Sequence, residues 1–462
     1  MADSKYARPS YIDDALRRDG FDPPSNEMAA RIGDWYEWWT GQNDWYAESY
    51  VDVSGRRASR RRLSLRPARR VCREWASLIA SEATVSAEAP AAAEWLDGWV
   101  RSTGFMGRFQ DFVERTFALG TGALGLWLDT GRGEAKLRRY DANMVIPLSW
   151  DEDGVTECAF ATRATLRGKQ CDQLQEHVLS GGAYVIRTRL FADGRELPAP
   201  DGVLPELDTG CPTPTFAVFR PAIENTYVDL SPYGVSVFAD AVDAIKTVDM
   251  AWTALYDEVD LGRMVMLLPD TMIEVREGQP VPFGGDGQRL YRKAQTSGLE
   301  DGKPYAFAPA LRTEAIYKAY GAALAQLGDL TGFGLSYFKP DRAGGIKTAT
   351  EVSADSSELM RTVRKHENLM GLGLSQALGS LLTCARTVLG APVEEDFGAV
   401  SVGWDDSIVT DTQSEKTMAM AEMSALGVRE LKVRYLVRYY GMTEEEAQAA
   451  VPGEPTLVDA GY

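Results

Sequence analysis

The sequence feature that most constrains the fold is an unbroken helical pattern across residues 235–262. Its apolar positions recur in steps of three and four, at Phe238, Ala241, Val242, Ile245, Val248, Trp252, Leu255, Tyr256 and Val259. Such spacing predicts one long amphipathic helix of about 38 Å, at 1.5 Å per residue. The acidic residues of this stretch, Asp249 and Asp257 among them, lie mostly off the apolar stripe and are predicted to face solvent.

A second helix is predicted over residues 313–330, and the intervening residues 263–312 have strand and turn character. Two helices that bracket a compact β insert predict a stalk with a small module at its end. The next segment, 331–347, is interrupted by glycine and proline, and its cations are Lys339, Arg342 and Lys347. A very long helix is then predicted over 348–390.

The flanking regions have a mixed pattern. Residues 93–119 are predicted to be helical, whereas 124–220 contain short strands separated by turn residues, which is typical of an antiparallel sheet. Near the C-terminus, a strand at 400–404 precedes a helix at 411–425 and a helical pair at 427–450. The sequence therefore predicts an α+β fold.

Composition excludes several classes of protein. The 462 residues suffice for two or three domains, and 49 basic against 67 acidic side chains give a formal charge of −18. A general basic nucleic-acid binder is therefore disfavoured, since such proteins hold phosphates with excess positive charge. His177 and His366 stand alone, so neither a zinc site built on histidine nor a Ser-His-Asp hydrolase is supported.

The cysteines and the apolar runs indicate a cellular setting. The five cysteines are odd in number and widely spaced, which favours reduced cytosolic thiols. No stretch reaches the roughly 20 apolar residues that a membrane span needs, and the N-terminus has no apolar signal region. We expect a soluble intracellular protein with no membrane partner.

Two glycine-rich runs resemble nucleotide-binding motifs. Residues 120–125, GTGALG, match GxGxxG, but a helix precedes them and a strand follows, the reverse of the dinucleotide fingerprint. In GGIKT, residues 344–348, Ile346 occupies the place where a P-loop requires glycine. No cofactor is expected, and an ATP-driven motor is disfavoured.

One strongly basic stretch, residues 56–73, interrupts the acidic chain; we call it the basic segment. It contains no acid and nine arginines, namely Arg56, Arg57, Arg60, Arg61, Arg62, Arg66, Arg69, Arg70 and Arg73. It could grip DNA phosphates or an acidic partner, and partner or inter-subunit contacts are favoured. The aromatic group within 35–50 could stack on single-stranded nucleic acid. Its interspersed acids favour packing or subunit contact instead.

The order of these parts resembles the portal proteins of tailed double-stranded-DNA bacteriophages, of the siphophage type. The similar stretches are RPARRVCREWASLIASEATV, FVERTFALGTGALGLWLD, YDANMVIPLSWDEDGVTECAF, SPYGVSVFADAVDAIKTVDMAWTALYDEVDLGRMVMLLP, KTATEVSADSSELMRTVRKHENLM and VGWDDSIVTDTQSEKTMAMAEMSALGVRELKVRYLVRYYGMTEEEAQ. They span roughly residues 60–450. Portals have no catalytic signature, so the ordered set carries the resemblance.

The resemblance implies a portal-like subunit with a mixed α/β wing, a two-helix stem, a small β-containing clip, a long tunnel helix and a helical crown. By position, the parts would be the N-terminal region and wing (1–234), stem helices (235–262 and 313–330), clip (263–312), tunnel loop (331–347), long tunnel helix (348–390), wing return (391–426) and crown (427–462).

The resemblance also implies a non-enzymatic function. Such subunits form a ring, usually of twelve, at one capsid vertex, and a separate terminase drives double-stranded DNA through the channel, from which it is later ejected. The implied partners are the terminase large subunit, the major capsid protein and a head-tail adaptor, in the virion and, during assembly, in the host cytoplasm. Lys339, Arg342 and Lys347 would then touch the DNA backbone without reading sequence.

Two other functions compete with this one. An acidic cytosolic enzyme could use paired carboxylates such as Asp405 and Asp406. Adjacent acids in a strand point to opposite faces, however, and cannot easily share one substrate. A different head-tail connector component is the other alternative, but adaptors are usually much shorter, and the two helices around a β insert would be unexplained.

Overall fold

A computed structural model of the chain describes residues 8–24, 27–52, 54–81, 83–129, 131–166, 168–198, 204–269, 275–276, 279–280, 291–295, 303–339, 349–404, 420, 429–440 and 442–451. The chain divides into two compact units. The larger comprises residues 1–81 and 85–402, and the smaller comprises 82–84 and 403–462.

Helices account for much of both units. In the larger unit they are α1 (Ser10–Arg18), α2 (Glu27–Thr40), α3 (Pro67–Ala80), α4 (Pro90–Thr103), α5 (Phe105–Leu119), α6 (Val242–Leu261), α7 (Thr313–Leu330) and α8 (Ala349–Leu389). In the smaller unit they are α9 (Arg429–Tyr440) and α10 (Glu444–Ala450). None of the helices in the described ranges is both long and apolar enough to cross a bilayer.

The strands follow in chain order. They are β1 (Ala47–Val51), β2 (Arg57–Arg61), β3 (Thr84–Ala87), β4 (Gly122–Asp129), β5 (Glu134–Asp141), β6 (Val145–Trp150), β7 (Val155–Leu166), β8 (Lys169–Ser180), β9 (Ala183–Ala192), β10 (Arg195–Leu197), β11 (Glu206–Cys211), β12 (Phe216–Phe219), β13 (Val265–Pro269), β14 (Val275–Arg276), β15 (Gln279–Pro280), β16 (Tyr291–Ala294), β17 (Tyr305–Phe307) and β18 (Val400–Gly403).

Strands β4 to β12 of the larger unit form two antiparallel sheets. One has the order β10-β9-β8-β7-β6, with β11 also paired to β9, and the other has the order β12-β4-β5. A buried apolar cluster draws on both sheets, with the members Ala123, Tyr140, Val145, Cys158, Phe160, Tyr184 and Phe216. The antiparallel sheet predicted over 124–220 is therefore confirmed, and with the separate helices it gives the predicted α+β class.

Helix α8 is attached to these sheets by polar side chains. Gln376, Ser380 and Thr387 donate hydrogen bonds of 2.7–2.9 Å to backbone carbonyls of β11, β12 and the loop between them. Small and apolar residues of the same helix are buried beside them, including Leu374, Leu378, Leu381 and Cys384. The long helix predicted over 348–390 is confirmed as Ala349–Leu389.

Helices α6 and α7 form an antiparallel pair. Near the end of α6, Glu258 binds the Arg312 guanidinium at the start of α7, with Nη2 and Oε2 2.8 Å apart. Further along, the rings of Trp252 and Tyr320 lie 6.0 Å apart. The chain between the two helices contains β13, paired to both β16 and β17, and the two-stranded β14–β15. The β character predicted for 263–312 is confirmed for these strands.

The first of the two helices begins later than predicted. Helix α7 has the predicted limits, but α6 starts at Val242 after a 3₁₀ turn, Ala239–Ala241, and not at residue 235. The preceding apolar residues Val235, Val237 and Phe238 are buried in irregular chain, where the Val237 N–H bonds the Phe117 carbonyl at 3.0 Å. These residues are apolar because they are buried, although they do not belong to the helix. The apolar pattern in the sequence therefore extends beyond the start of α6.

The smaller unit contains the predicted C-terminal helices in part. Thr443 accepts a hydrogen bond from the Glu446 N–H (3.3 Å), and the Glu446 carboxylate accepts one from the Thr443 N–H (3.0 Å). This reciprocal capping box, expected from the sequence, starts α10. The helix predicted at 411–425 lies outside the described residues except for Met420. The assignments to wing, stem, clip, tunnel loop and crown stay predictions.

Candidate DNA-contact site

A polar cleft lies where the predicted tunnel loop leaves α7. Its volume is about 470 Å³, and it is lined by Arg70 and Glu74 of α3, Tyr320 and Leu324 of α7, and Tyr337, Phe338 and Lys339 of the following segment. A second cleft of about 480 Å³ on α7 also includes Lys339, together with residues such as Tyr317 and Gln326. Lys339, which is exposed, therefore lines both clefts.

Glycines fix the segment that carries Lys339 against the end of α7. The N–H groups of Phe333 and Gly334 both bond the Gly328 carbonyl, at 2.9 and 3.1 Å. Gly334 has a φ of +80°, and a Cβ on Gly328 would lie 2.4 Å from the Gly334 oxygen. Because only glycine tolerates this geometry and approach, the TGFG sequence acts as a helix C-cap.

Aromatic packing anchors this cap to the core. The indole N–H of Trp75 donates to the Thr331 carbonyl at 3.0 Å, and its ring centroid lies 4.4 Å from that of Phe333. Phe333 in turn contacts Phe338, at 5.0 Å between ring centroids. The chain is thus held firmly up to the residue before Lys339, the last described residue of the predicted tunnel loop.

The polar residues of the first cleft differ in the contacts they make within the protein. Glu74 accepts a hydrogen bond from the Tyr337 hydroxyl at 3.2 Å. The Arg70 guanidinium carbon lies 5.0 Å from the Phe338 ring centroid, a cation–π distance. Burial raises the pKa of Tyr320, against the opposing effect of Arg70, so its hydroxyl stays protonated. Two cations and a phenol donor can together donate hydrogen bonds to a phosphate oxygen.

The remaining predicted loop cations cannot be placed on this cleft. Arg342 and Lys347 lie outside the residues that the structure describes. The structure does bring Lys339 together with Arg70, which belongs to the basic segment. These two residues are 269 positions apart in the sequence, and no spacing rule could have joined them.

The basic segment is divided among three environments. Arg56 and Arg57 are exposed at the turn between β1 and β2. Arg60, Arg61 and Arg62 lie at the base of this β hairpin. The other four arginines precede or belong to α3: Arg66, Arg69, Arg70 and Arg73.

The three arginines at the base are occupied within the chain. Arg60 bridges two carboxylates, with Nε 2.7 Å from Glu48 and Nη1 2.9 Å from Asp257 of α6. Arg62 reaches the other oxygen of Glu48 at 3.2 Å, and Arg61 donates to a backbone carbonyl. Hydrogen bonding from Arg60 lowers the pKa of Glu48. These arginines hold the hairpin, and Arg69 pairs with Glu114 at 3.4 Å, so the remaining arginines of the segment are the candidates for outside partners.

Most of the neighbouring aromatic group packs inside the protein, whereas Tyr50 is 48% exposed. Trp35, Trp38 and Tyr46 are buried, and the ring centroids of Trp38 and Tyr46 are 5.7 Å apart. The Arg62 guanidinium lies over Trp45 at 4.7 Å. Rings enclosed in this way are not free to stack on nucleic acid, in agreement with the packing interpretation.

Both histidines are neutral core residues. His177 Nδ1 lies 2.7 Å from the Thr215 hydroxyl, and burial lowers its pKa to about 3. His366 Nδ1 accepts the Ala222 N–H at 3.0 Å, and burial lowers its pKa to about 4. All five cysteines are free and buried. In the part of the chain that the structure describes, no three His, Cys, Asp or Glu side chains are grouped to hold a metal.

The comparisons with known proteins give structural neighbours only. No protein-family model matches the chain, and no curated protein matches it. Among solved structures it is similar to a chain in the virion of a native gene transfer agent particle, with a TM-score of 0.44 and 13% identity over 91% of this chain and 97% of that one.

Two further structures of the same kind of particle are similar. One is the neck of the native particle computed with C12 symmetry, with a TM-score of 0.43 and 12% identity over 96% and 100% of the two chains. The other is the neck of the empty particle computed with C6 symmetry, with a TM-score of 0.41 and 13% identity over 79% and 88%. TM-scores below 0.5 leave the function to be argued from this chain's own residues.

One residue that holds the basic segment in place was not predicted from the sequence. Asp249 of α6, predicted to face solvent, is fully buried. Its carboxylate accepts hydrogen bonds from the Leu65 N–H (2.8 Å), the Tyr46 hydroxyl (2.7 Å) and the Ser64 hydroxyl (2.9 Å). Burial raises its pKa, and these donors oppose the rise. Asp249 thereby ties the middle of the basic segment to α6.

The carboxylates proposed for an enzyme, Asp405 and Asp406, lie outside the described residues. Nearer to the cleft, Glu74 and the buried Asp249 both accept hydrogen bonds from protein donors. The geometry of the cleft is that of a surface suited to weak anion contact.

Proposed function

We propose that this chain is the portal subunit of a tailed-phage type of capsid. In this proposal twelve copies form a ring at one capsid vertex. Double-stranded DNA enters through the ring under the action of a terminase large subunit and later leaves by the same channel. The major capsid protein surrounds the ring and a head-tail adaptor attaches to it. The chain itself performs no catalysis and needs no cofactor.

The observation that supports the proposal most strongly is the antiparallel orientation of α6 and α7. Glu258–Arg312 at one end and Trp252–Tyr320 further along make the two helices antiparallel, with all of residues 263–312 between them. An antiparallel helix pair with β strands in the intervening chain, followed by a helix-capping turn and a 41-residue helix, agrees with the order of parts that the portal resemblance implies. A compact enzyme domain does not need this arrangement of elements.

The charge of the chain suits a channel for DNA. Twelve copies at −18 carry −216 formal charges, and each phosphate that a channel neutralised would add affinity and resist movement. A few cations near the loop can instead touch the backbone transiently and without sequence preference. Lys339 and Arg70 at the cleft supply such cations, with Arg342 and Lys347 as further candidates from the sequence.

The first test is the native mass of the purified full chain, with negative-stain images. A ring near 608 kDa, twelve copies of 50.7 kDa, with a central hole is the expected result. A ring of neighbouring copy number would also agree, because rings can miscount outside a capsid. A compact dimer or tetramer without a hole, at concentrations up to the solubility limit, would contradict the proposal and favour the enzyme.

The DNA contact has a separate test in a packaging assay. Neutralising Lys339, Arg342 and Lys347 together to glutamine should impair packaging or DNA retention while ring assembly stays intact. Adding Arg70→Gln should deepen the defect, since Arg70 lines the same cleft. The control neutralises three cations elsewhere, Arg101, Arg132 and Arg163, all more than two thirds exposed. Normal packaging by the loop variant would remove this role from the loop.

A further inference from the structure

The β1–β2 hairpin is a two-stranded ribbon that is fixed at one end. At its base Arg60 binds Asp257 of α6 at 2.9 Å, and Asp249 of the same helix holds Leu65 just beyond β2. From the Glu48–Arg60 pair, three further residue pairs lead to Val51 and Arg57. At about 3.4 Å per residue, the ribbon extends on the order of 10 Å past its anchor.

The far end of the ribbon is an ordered turn. Asp52 Oδ1 accepts hydrogen bonds from the Ser54 N–H (2.8 Å), the Ser54 hydroxyl (2.6 Å) and the Arg56 N–H (2.9 Å). The Asp52 N–H bonds the Arg56 carbonyl at 2.9 Å and closes the ladder. These bonds fix the backbone on which Arg56 and Arg57 stand, so the tip presents its cations in a defined place.

The tip exposes both apolar and cationic side chains. Tyr50 is 48% exposed and Val51 is 66% exposed, although the strand they occupy could have placed polar residues there. Neither Arg56 nor Arg57 forms an ion pair with any residue that the structure describes. A two-stranded ribbon with open edges is marginal by itself. Exposed tyrosine beside arginine is the composition of protein interfaces.

We propose that the tip of this hairpin, centred on Tyr50, Arg56 and Arg57, docks on an adjacent copy of the same chain. This inference rests on the proposed ring. A ring uses heterologous contacts, in which one patch meets a different patch on the next copy. A basic tip on a chain of charge −18 meets this need, because each neighbour carries 67 acidic against 49 basic side chains.

Charge favours this occupant over DNA. At the base, Arg60 and Arg62 pair with Glu48 and Asp257, and Arg61 donates to a backbone carbonyl, so the tip itself brings only two cations to a partner. Two cations give little affinity for DNA, since non-specific binding grows with the number of phosphates neutralised. Arginines at the tip are instead desolvated when they contact a protein surface, where charged hydrogen bonds are strongest.

The direct experiment is photo-cross-linking in isotopically mixed rings. Full-length chains carrying benzoylphenylalanine in place of Tyr50 are prepared unlabelled and ¹⁵N-labelled, mixed before assembly, and irradiated. Cross-linked peptides that combine the two isotopes are expected, with the acceptor in an acidic region. Cross-links confined to single chains would overturn the inference. So would cross-links to DNA alone when a duplex is added.

A charge-reversal series provides the second measurement. Arg56→Glu with Arg57→Glu should raise the concentration at which rings form at least tenfold and leave the thermal unfolding of the unassembled chain unchanged. The control, Arg132→Glu with Arg195→Glu, changes the net charge equally at exposed sites away from the hairpin. Rings that form as readily with the reversed tip as with the control contradict the inference alone. A wild-type chain that forms no ring contradicts the proposed function as well.

Discussion

The core around Trp75 and the α6–α7 pair differ in how fully each buries its own side chains. Trp75 is enclosed by Phe333 and His366, and its indole N–H has a carbonyl partner. In the pair, Trp252 is half-buried, and three apolar side chains are about half exposed: Met250, Tyr256 and Val259. The first region is complete within one chain. In the second, Tyr256 and Val259 lie three residues apart and leave an apolar face of α6 that another surface can cover. Different residues would therefore stabilise the chain and the proposed ring.

The same substitution in both regions is the strongest test of this difference. Trp75→Ala should lower the free energy of unfolding by about 3–5 kcal/mol, because it opens a cavity and orphans the Thr331 carbonyl. Trp252→Ala, at a half-exposed ring contact, should cost about 1–2 kcal/mol. Urea unfolding of the unassembled chain measures both. Equal losses would mean that the pair is as well packed as the core.

Asp249 provides a second comparison, between two acids on α6. Asp249→Ala should cost about 2–3 kcal/mol, because it leaves three donors of Leu65, Tyr46 and Ser64 without their acceptor. Asp243→Ala, whose side chain is 94% exposed, should change stability by less than about 0.5 kcal/mol. A similar small change at both positions would remove Asp249 as the anchor of the basic segment.

Acid pH should weaken the core before the helix pair. Burial lowers the pKa of His366 to about 4, below the usual 6.5, so the unfolded chain takes up this proton first. Its stabilising contribution is therefore complete above pH 6.5 and is lost as the pH falls toward 4, by about 2 kcal/mol between pH 6.5 and 5. Glu258, whose pKa hydrogen bonds from Arg312 lower to about 2, keeps its ion pair throughout that range.

The measurement is urea unfolding of the wild type and His366→Gln at pH 7 and pH 5. Glutamine can still accept the Ala222 N–H, but it takes up no proton. The variant should lose about 2 kcal/mol less than the wild type over this interval. His177, whose pKa burial lowers to about 3, should leave a residual loss in both proteins. Identical losses would show that His366 is not buried as a neutral base.

Local patterns predicted much of the fold, and long-range contacts account for what they missed. Helix α7 has its predicted limits and α8 differs by one residue at each end, because the apolar period belongs to the helix itself. The start of α6 was wrong because Val235, Val237 and Phe238 are buried in irregular chain, where apolar residues also follow one another.

The candidate site was less predictable than the fold. Lys339 could be selected because a glycine-rich loop with few cations is visible in the sequence. That Arg70 lies at the same cleft could not be predicted, because α3 and the loop meet through long-range contacts such as the packing of Trp75 and Phe333. Asp249 was misassigned for a similar reason. Its three donors come from residues 46–65, and a helical pattern read alone makes any acid off the apolar stripe look solvated.

The exposed face of α6 should show the smallest effect on the chain and a clear one on its assembly. Tyr256→Ser with Val259→Ser removes two side chains that are half exposed, so the unassembled chain should lose less than about 1 kcal/mol. If the proposed ring covers this face, the same double variant loses apolar area at each interface, and rings should form only at higher concentration. Leu179→Ser on β8, also half exposed, is the control. Light scattering across a dilution series measures assembly, and unfolding of the dilute chain measures stability. An unchanged assembly midpoint would mean that another surface closes the ring and that the apolar face of α6 has a different partner.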